Sequence, residues 1–122
     1  MATCLAWDRA SGTGTAAGGI TLGVEEEFVL LDPSTGATVL AAPDLVRMLD
    51  GEPGVQPELM RFQVEIATPV CTSLDGLGRE LTRLRRLAAE AAVRLGCCLV
   101  ASGVAPSGVP GLAAVNGMTV KP

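Results

Sequence analysis

The sequence contains no histidine and no tyrosine, and its aromatic residues are two phenylalanines and one tryptophan. The absence of histidine excludes zinc sites built on imidazole, and general bases of the histidine type, within this chain. The scarcity of aromatic side chains argues against binding nucleic acid by base stacking. A metal ion bound by this chain is therefore expected to be a hard cation held by oxygen ligands.

Positive charge and long apolar runs are also scarce. The chain has 9 Lys and Arg against 13 Asp and Glu, a net charge of -4, and so has no general attraction to nucleic acid or anionic membranes. Its apolar stretches fall far short of the ~20 residues that a membrane helix needs. Residues 1–20 lack the pattern of a signal peptide. We expect a soluble protein with no nucleic-acid and no membrane partner.

The four cysteines include an adjacent pair, Cys97 and Cys98, and show no CxxC spacing. This pattern is typical of reduced thiols, so a cytoplasmic location is expected. With 122 residues the chain can form one modest domain with an aliphatic core. Composition divides it into a disordered leader (1–19), a folded part (20–103) and an irregular tail (104–122).

The first half of the folded part predicts a hairpin, a short helix and a loop. The stretch ITLGVEEEFVLLD is rich in β-branched and aliphatic residues and predicts a strand. DPSTG has the composition of a turn, and ATVLAA predicts a second strand that completes the hairpin. APDLVRMLD then predicts a short helix, and GEPGVQPE a loop.

Strict alternation marks the next strand, LMRFQVEIAT. Its apolar residues Met60, Phe62, Val64 and Ile66 are expected on one face, with polar residues on the other. A helix start at Thr72 or Ser73 follows, then a long amphipathic helix that ends near Gly96, and CCLVAS predicts a last strand.

These elements predict an α+β fold. Strands with one apolar and one polar face, together with one amphipathic helix, indicate an antiparallel or mixed sheet with the helix packed on its apolar side. The polar face of the sheet is expected to stay open.

Three glutamates on this polar face form the candidate functional site. Glu25 and Glu27 are two residues apart in one strand, so their side chains point the same way from Cα atoms roughly 7 Å apart. Glu65 lies on the polar face of a second strand, and it joins them if the two strands are neighbours. Carboxylates on a rigid sheet are suitable ligands for Mg²⁺ or Mn²⁺.

A solvated strand face carrying Glu and Arg is the plain alternative to a metal site. Arg61 and Gln63 on the second strand are expected to border the site or to form salt bridges. Glu26 falls on the apolar face, where it either pairs with a basic residue, follows a bulge, or lies at the sheet's edge.

The ordered combination of these segments resembles a known family. TLGVEEEFVLLDPSTG, then ELMRFQVEIATPVCTSL, then an Arg-rich helix ending in AAVRLGCCLVASG, is similar to the start of the bacterial carboxylate-amine ligases of the glutamate-cysteine ligase type 2 family. The similarity covers roughly residues 21–114, and the ordered pair GxExE and QxEIATP is its most specific part.

The resemblance implies a catalytic domain like that of glutamine synthetase, in which the concave polar face of a curved antiparallel sheet binds ATP, a divalent metal and an amino-acid carboxylate. The implied reaction transfers the γ-phosphoryl group of ATP to the side-chain carboxylate of glutamate. An amine such as that of cysteine then attacks the acyl phosphate and forms a γ-glutamyl amide. The cofactors implied are ATP and Mg²⁺ or Mn²⁺, and the partners are the two amino-acid substrates.

Carried onto this chain, the resemblance implies metal binding by Glu25, Glu27 and Glu65. Arg61 and Gln63, which border these glutamates in the predicted strand, are expected to bind substrate. Family members are much longer, so the chain is expected to be an N-terminal fragment that is inactive alone and is completed by another chain or by oligomerisation. The alternative is a non-catalytic remnant or small interaction module, whose unpaired sheet edge would favour pairing with another chain.

Overall fold

The computed structural model describes residues 19–106 and the backbone strand Ala2–Cys4. The rest of the predicted leader, and residues 107–122 of the predicted tail, lie outside the described residues. The elements in chain order are β1 (Ala2–Cys4), β2 (Val24–Leu31), α1 (Ala42–Met48), β3 (Val55–Pro57), β4 (Gln63–Ala67), α2 (Leu74–Arg94) and β5 (Cys98–Ala101).

The five strands form one antiparallel sheet with β2 at its centre. Strand β4 pairs with one edge of β2 and with β3 on its own far side. Strands β1 and β5 share the other edge of β2, β1 at its start and β5 at its end. The predicted α+β class is confirmed. Of the two expected kinds of sheet, antiparallel and mixed, the structure has the antiparallel one.

Helix α2 covers one face of the sheet. Its N-cap is Ser73, whose hydroxyl accepts a hydrogen bond from the Gly76 amide at 3.1 Å, as expected for one of the two predicted starts. Leu84, which is fully buried, packs with the strand residues Phe28 and Ile66 in the main core. Burial of a side chain of that size contributes about 1.5 to 3 kcal/mol. The helix ends before Gly96, whose φ of 73° suits a glycine.

The predicted second strand of the hairpin is wrong in its extent. The turn forms, because the Asp32 carboxylate accepts hydrogen bonds from the Ser34 and Thr35 amides at 2.7 and 3.0 Å. After the turn, the returning chain pairs with β2 through only one bridge, between Leu31 and Thr38. The returning chain leaves the sheet because α1, with proline in its first turn, already begins at Ala42.

The predicted loop GEPGVQPE instead contains strand β3. Val55 is 4% exposed and pairs with Ile66 of β4. At Gly54 the backbone lies close to α2 and β4. A Cβ atom there would be 2.7 Å from Leu84 Cδ2 and 2.9 Å from the Ala67 carbonyl oxygen. Burial and pairing with β4 therefore override a local composition that is typical of a loop.

The predicted single face for Met60, Phe62, Val64 and Ile66 is also wrong. Val64 and Ile66 belong to the core beneath α2. Met60 and Phe62 pack with Val29 and Leu31 in a second apolar cluster. A turn causes the change of face, because the Gln63 amide donates to the Met60 carbonyl at 2.9 Å and regular alternation begins only at Gln63. One end of the face opposite α2 is therefore apolar.

Candidate functional site

The pairing of β2 with β4 places two of the predicted glutamates side by side. Glu27 and Glu65 are direct partners in the antiparallel register, and Glu25 lies opposite Ala67. Directly opposed residues share a face of the sheet, and this face is the one opposite α2. The structure thus makes the two strands neighbours, as the convergence of these carboxylates requires.

A third carboxylate in the group was not predicted from the sequence. One carboxylate oxygen from each of Glu27, Glu58 and Glu65 lies within 4.8 Å of the others. Glu58 follows directly after β3, whose residue Gln56 pairs with Glu65. The composition of this stretch predicted a loop, in which Glu58 has no defined face of a sheet. A prediction of an edge strand at Val55–Pro57 would have indicated that Glu58 lies close to Glu65.

Burial and mutual repulsion both act on this acidic group. The pKa of Glu65 is raised, first by burial and then by the negative charges of Glu25, Glu58 and Glu27. Glu25 therefore acts on the group electrostatically, although it lies outside the three carboxylates that approach within 4.8 Å. A bound cation would relieve this repulsion, and three oxygen donors of half-buried glutamates match the preference of Mg²⁺ and Mn²⁺.

Glu26 points the opposite way and pairs with α2. The Arg85 guanidinium donates two hydrogen bonds to its carboxylate, from Nε to Oε2 at 2.6 Å and from Nη2 to Oε1 at 2.5 Å. Glu26 is 8% exposed, so this bidentate pair compensates its burial. Of the three explanations left open by the sequence, pairing with a basic residue is the correct one.

Arg61 and Gln63, the predicted substrate-binding residues, are both half-buried, and Gln63 lies on the same face of β4 as Glu65. The Arg61 carbonyl oxygen accepts a hydrogen bond from the Ala42 amide at 2.9 Å, which ties the β3–β4 connection to the start of α1. The Gln63 side chain donates to the Gly103 carbonyl oxygen at 3.3 Å. Their role in binding substrate stays a prediction.

A second charged cluster holds the 52–54 segment against α2. Arg83 donates to Glu52 at 2.5 Å and to Glu80 at 2.9 Å. Its hydrogen bonds lower the pKa of Glu52, and the two carboxylates raise the pKa of Arg83. Because the two negative groups are already satisfied by one cation, this cluster serves the fold.

Among the described residues, no helix has the length and apolar composition needed to cross a membrane.

Comparison with known proteins gives consistent results. Residues 21–116 match Glutamate-cysteine ligase family 2. The protein named "Putative glutamate–cysteine ligase 2" from Salinispora tropica is 47% identical over 92 residues, which are 71% of this chain and 24% of the relative. A relative of the same kind from Saccharopolyspora erythraea is 45% identical, over 75% of this chain and 24% of its own length.

The chain thus spans about a quarter of the length of these relatives. In Rhodococcus jostii, a relative that is 40% identical over 79% of this chain is matched over 12% of its own length. No solved structure shows a significant match. Since the family match covers residues 21–116, which is most of the chain, this protein belongs to glutamate-cysteine ligase family 2.

Proposed function

We propose that this chain carries the acidic, metal-binding part of the active site of an ATP-dependent carboxylate-amine ligase. The observation that carries the proposal is the convergence of Glu27, Glu58 and Glu65 on the sheet face opposite α2, in a chain that belongs to glutamate-cysteine ligase family 2. Like charges directly opposite one another destabilise a sheet, and a bound cation would offset that cost for the partners Glu27 and Glu65.

The residues that would hold Mg²⁺ or Mn²⁺ are Glu27, Glu58 and Glu65, with Glu25 adding negative charge beside them. A divalent cation held by these residues would supply positive charge to the oxygens of the ATP phosphates. The sheet contributes rigidity, because Glu27 and Glu65 project from paired strands whose other faces are locked in the core. Rigid ligands suit Mg²⁺, which requires nearly ideal octahedral geometry.

The proposed substrates are ATP, glutamate and an amine such as that of cysteine. The family and the names of the relatives support this choice. The γ-phosphoryl group of ATP is transferred to the glutamate side chain, which releases ADP. The amine nitrogen then attacks the acyl carbon and displaces inorganic phosphate. The nitrogen loses a proton in this step, and the amide bond is formed. Arg61 and Gln63, at the start of β4, are proposed to contact the substrate.

We expect no turnover by these 122 residues alone. Phosphoryl transfer needs cationic side chains on the phosphate oxygens in addition to the metal, and the arginines of α2 lie on the opposite side of the sheet. These are Arg79, Arg83, Arg85, Arg86 and Arg94. Cations in addition to Arg61 are proposed to come from another polypeptide or from a second copy of the chain. The free thiols of Cys71, Cys97 and Cys98 support a cytoplasmic location.

Titration with Mn²⁺ tests the metal site directly. Glu27→Gln removes one ligand charge without changing side-chain size, and we expect Mn²⁺ affinity to fall at least tenfold with the thermal unfolding midpoint nearly unchanged. Glu90→Gln is the matched control, because Glu90 lies on α2 with an exposed side chain and its partner Arg86 is 3.9 Å away. An Mn²⁺ affinity that is equal in Glu27→Gln and Glu90→Gln would refute the site.

The ligase reaction requires a second assay. The chain is mixed with ATP, Mg²⁺, glutamate and cysteine, with and without the remaining part of a longer relative, and the release of phosphate is measured. The proposal expects phosphate release that depends on glutamate only in the completed mixture, and its loss with Glu27→Gln. Release that is equal in wild type and Glu27→Gln would contradict a catalytic role for this acidic face.

A further inference from the structure

The four residues after β5, residues 102–105, turn back over one end of the acidic face, and we call them the strap. An internal turn shapes it, because the Ser102 hydroxyl donates to the Val104 carbonyl at 2.7 Å. Ala105 at its far end packs against the second apolar cluster, which contains Val29, Leu31 and Phe62. The strap is therefore anchored on the same face of the sheet as Glu27.

The middle of the strap is held by Gln63 and touches the acidic group. The Gln63 side-chain amide donates to the Gly103 carbonyl oxygen at 3.3 Å. A Cβ atom built on Gly103 would lie 3.1 Å from Glu27 Oε2, which is closer than carbon and oxygen normally approach. Glycine at this position thus leaves the space that the Glu27 carboxylate occupies.

We propose that the strap is a backbone wall that orients the Glu27 carboxylate, and that Gly103 and Gln63 are positioning residues for the metal site. The inference rests on the proposed metal-binding function. Its physical reason is that Mg²⁺ and Mn²⁺ accept little deviation in ligand position, so a shift of a few tenths of an ångström in one carboxylate oxygen weakens binding. Gln63 acts on Glu27 through the strap, since its amide fixes the Gly103 backbone.

Substitutions of increasing size at Gly103 test the wall. The full chain is titrated with Mn²⁺ alone, and free and bound Mn²⁺ are measured by electron paramagnetic resonance, whose spectrum for the bound ion responds to ligand geometry. We expect Gly103→Ala to weaken Mn²⁺ binding about tenfold, as for other changes behind a metal ligand, and Gly103→Val to weaken it further. Both should alter the spectrum of bound Mn²⁺.

Gly78→Ala is the matched control, because nothing lies within 4 Å of a Cβ atom at this helix position, and its Mn²⁺ affinity should equal that of wild type. Gln63→Leu, which keeps the side-chain volume but loses the donor, should weaken Mn²⁺ binding and speed amide hydrogen exchange in residues 102–105. Gly103→Ala adds only one methyl group at a partly exposed position, so we expect it to fold normally. Its thermal unfolding midpoint is measured and should equal that of wild type.

The outcomes separate the strap from the metal site. If Glu27→Gln loses Mn²⁺ affinity while Gly103→Ala and Gly103→Val bind like Gly78→Ala, the positioning role is wrong and the metal site stands. If Glu27→Gln itself binds like wild type, the metal site fails and the strap's role fails with it.

Discussion

Removing Glu26 and removing Arg85, which form an ion pair, are expected to lower the free energy of unfolding by unequal amounts. The side chain of Glu26 is 10% exposed, whereas that of Arg85 is 51% exposed. Arg85→Met leaves this nearly buried carboxylate without its bidentate partner. Breaking a buried pair in this way costs 3 to 5 kcal/mol, and partial access of water at the Arg85 side reduces the expected loss to about 2 to 3 kcal/mol.

Glu26→Met should cost less. The guanidinium that it leaves behind is half-exposed and can be hydrated, so the loss is close to that of a surface ion pair, about 1 kcal/mol or less. The double variant, Glu26→Met with Arg85→Met, should be more stable than Arg85→Met alone, because it no longer buries an unpaired charge.

The free energy of unfolding is measured for all four proteins by urea denaturation, followed by circular dichroism at a helix band, with equal m-values as the test of two-state behaviour. The reasoning is refuted if Arg85→Met is no less stable than Glu26→Met. It is also refuted if the double variant shows the sum of the two single losses, since the pair would then not be coupled.

Two further predictions concern stability. Leu84→Ala removes a fully buried side chain and should lower the free energy of unfolding by about 3 kcal/mol, whereas Leu74→Ala, at a residue that is 74% exposed, should change it by less than about 0.5 kcal/mol; equal losses would contradict the described core. Glu52→Gln should destabilise the protein by about 1 kcal/mol or less at pH 7. Because Arg83 lowers the pKa of Glu52 below its ordinary value of 4.5, the stabilisation is present above that pH and is lost as the pH falls through the lowered value. The difference between wild type and Glu52→Gln should therefore shrink on acidification, and a difference that grows would contradict the pair.

Much of the fold follows from local patterns. The period of apolar residues in α2, the Ser73 cap and Gly96 after the last turn are properties of neighbouring residues, and they locate the helix. Alternation likewise predicted Glu25 and Glu27 on one side of β2 and Glu26 on the other. One error occurs where a contact between strands overrides local composition, at β3, where Val55 is buried against β4 in a stretch rich in Gly and Pro. The change of face at Met60 and Phe62 has a local cause, the turn closed by the Gln63 amide and the Met60 carbonyl.

The candidate site depends on distant contacts to a greater degree. The sequence indicated Glu27 and Glu65 as members of one acidic face, but their meeting depends on β2 and β4 being paired in one particular register. Glu58 could not be predicted, because it enters the group only through the edge strand that precedes it.

Local patterns were enough to predict β2, β4, α2 and β5, the direction of the glutamates on β2 and the resemblance to a ligase family, because period, caps and motifs are encoded by residues close together in the chain. Tertiary structure alone decided that Glu26 finds Arg85, 59 residues away, that Glu58 completes the acidic group, and that Gly103 lies against Glu27. Such contacts depend on strand register and on helix packing, which are set by the burial of apolar side chains from the whole domain.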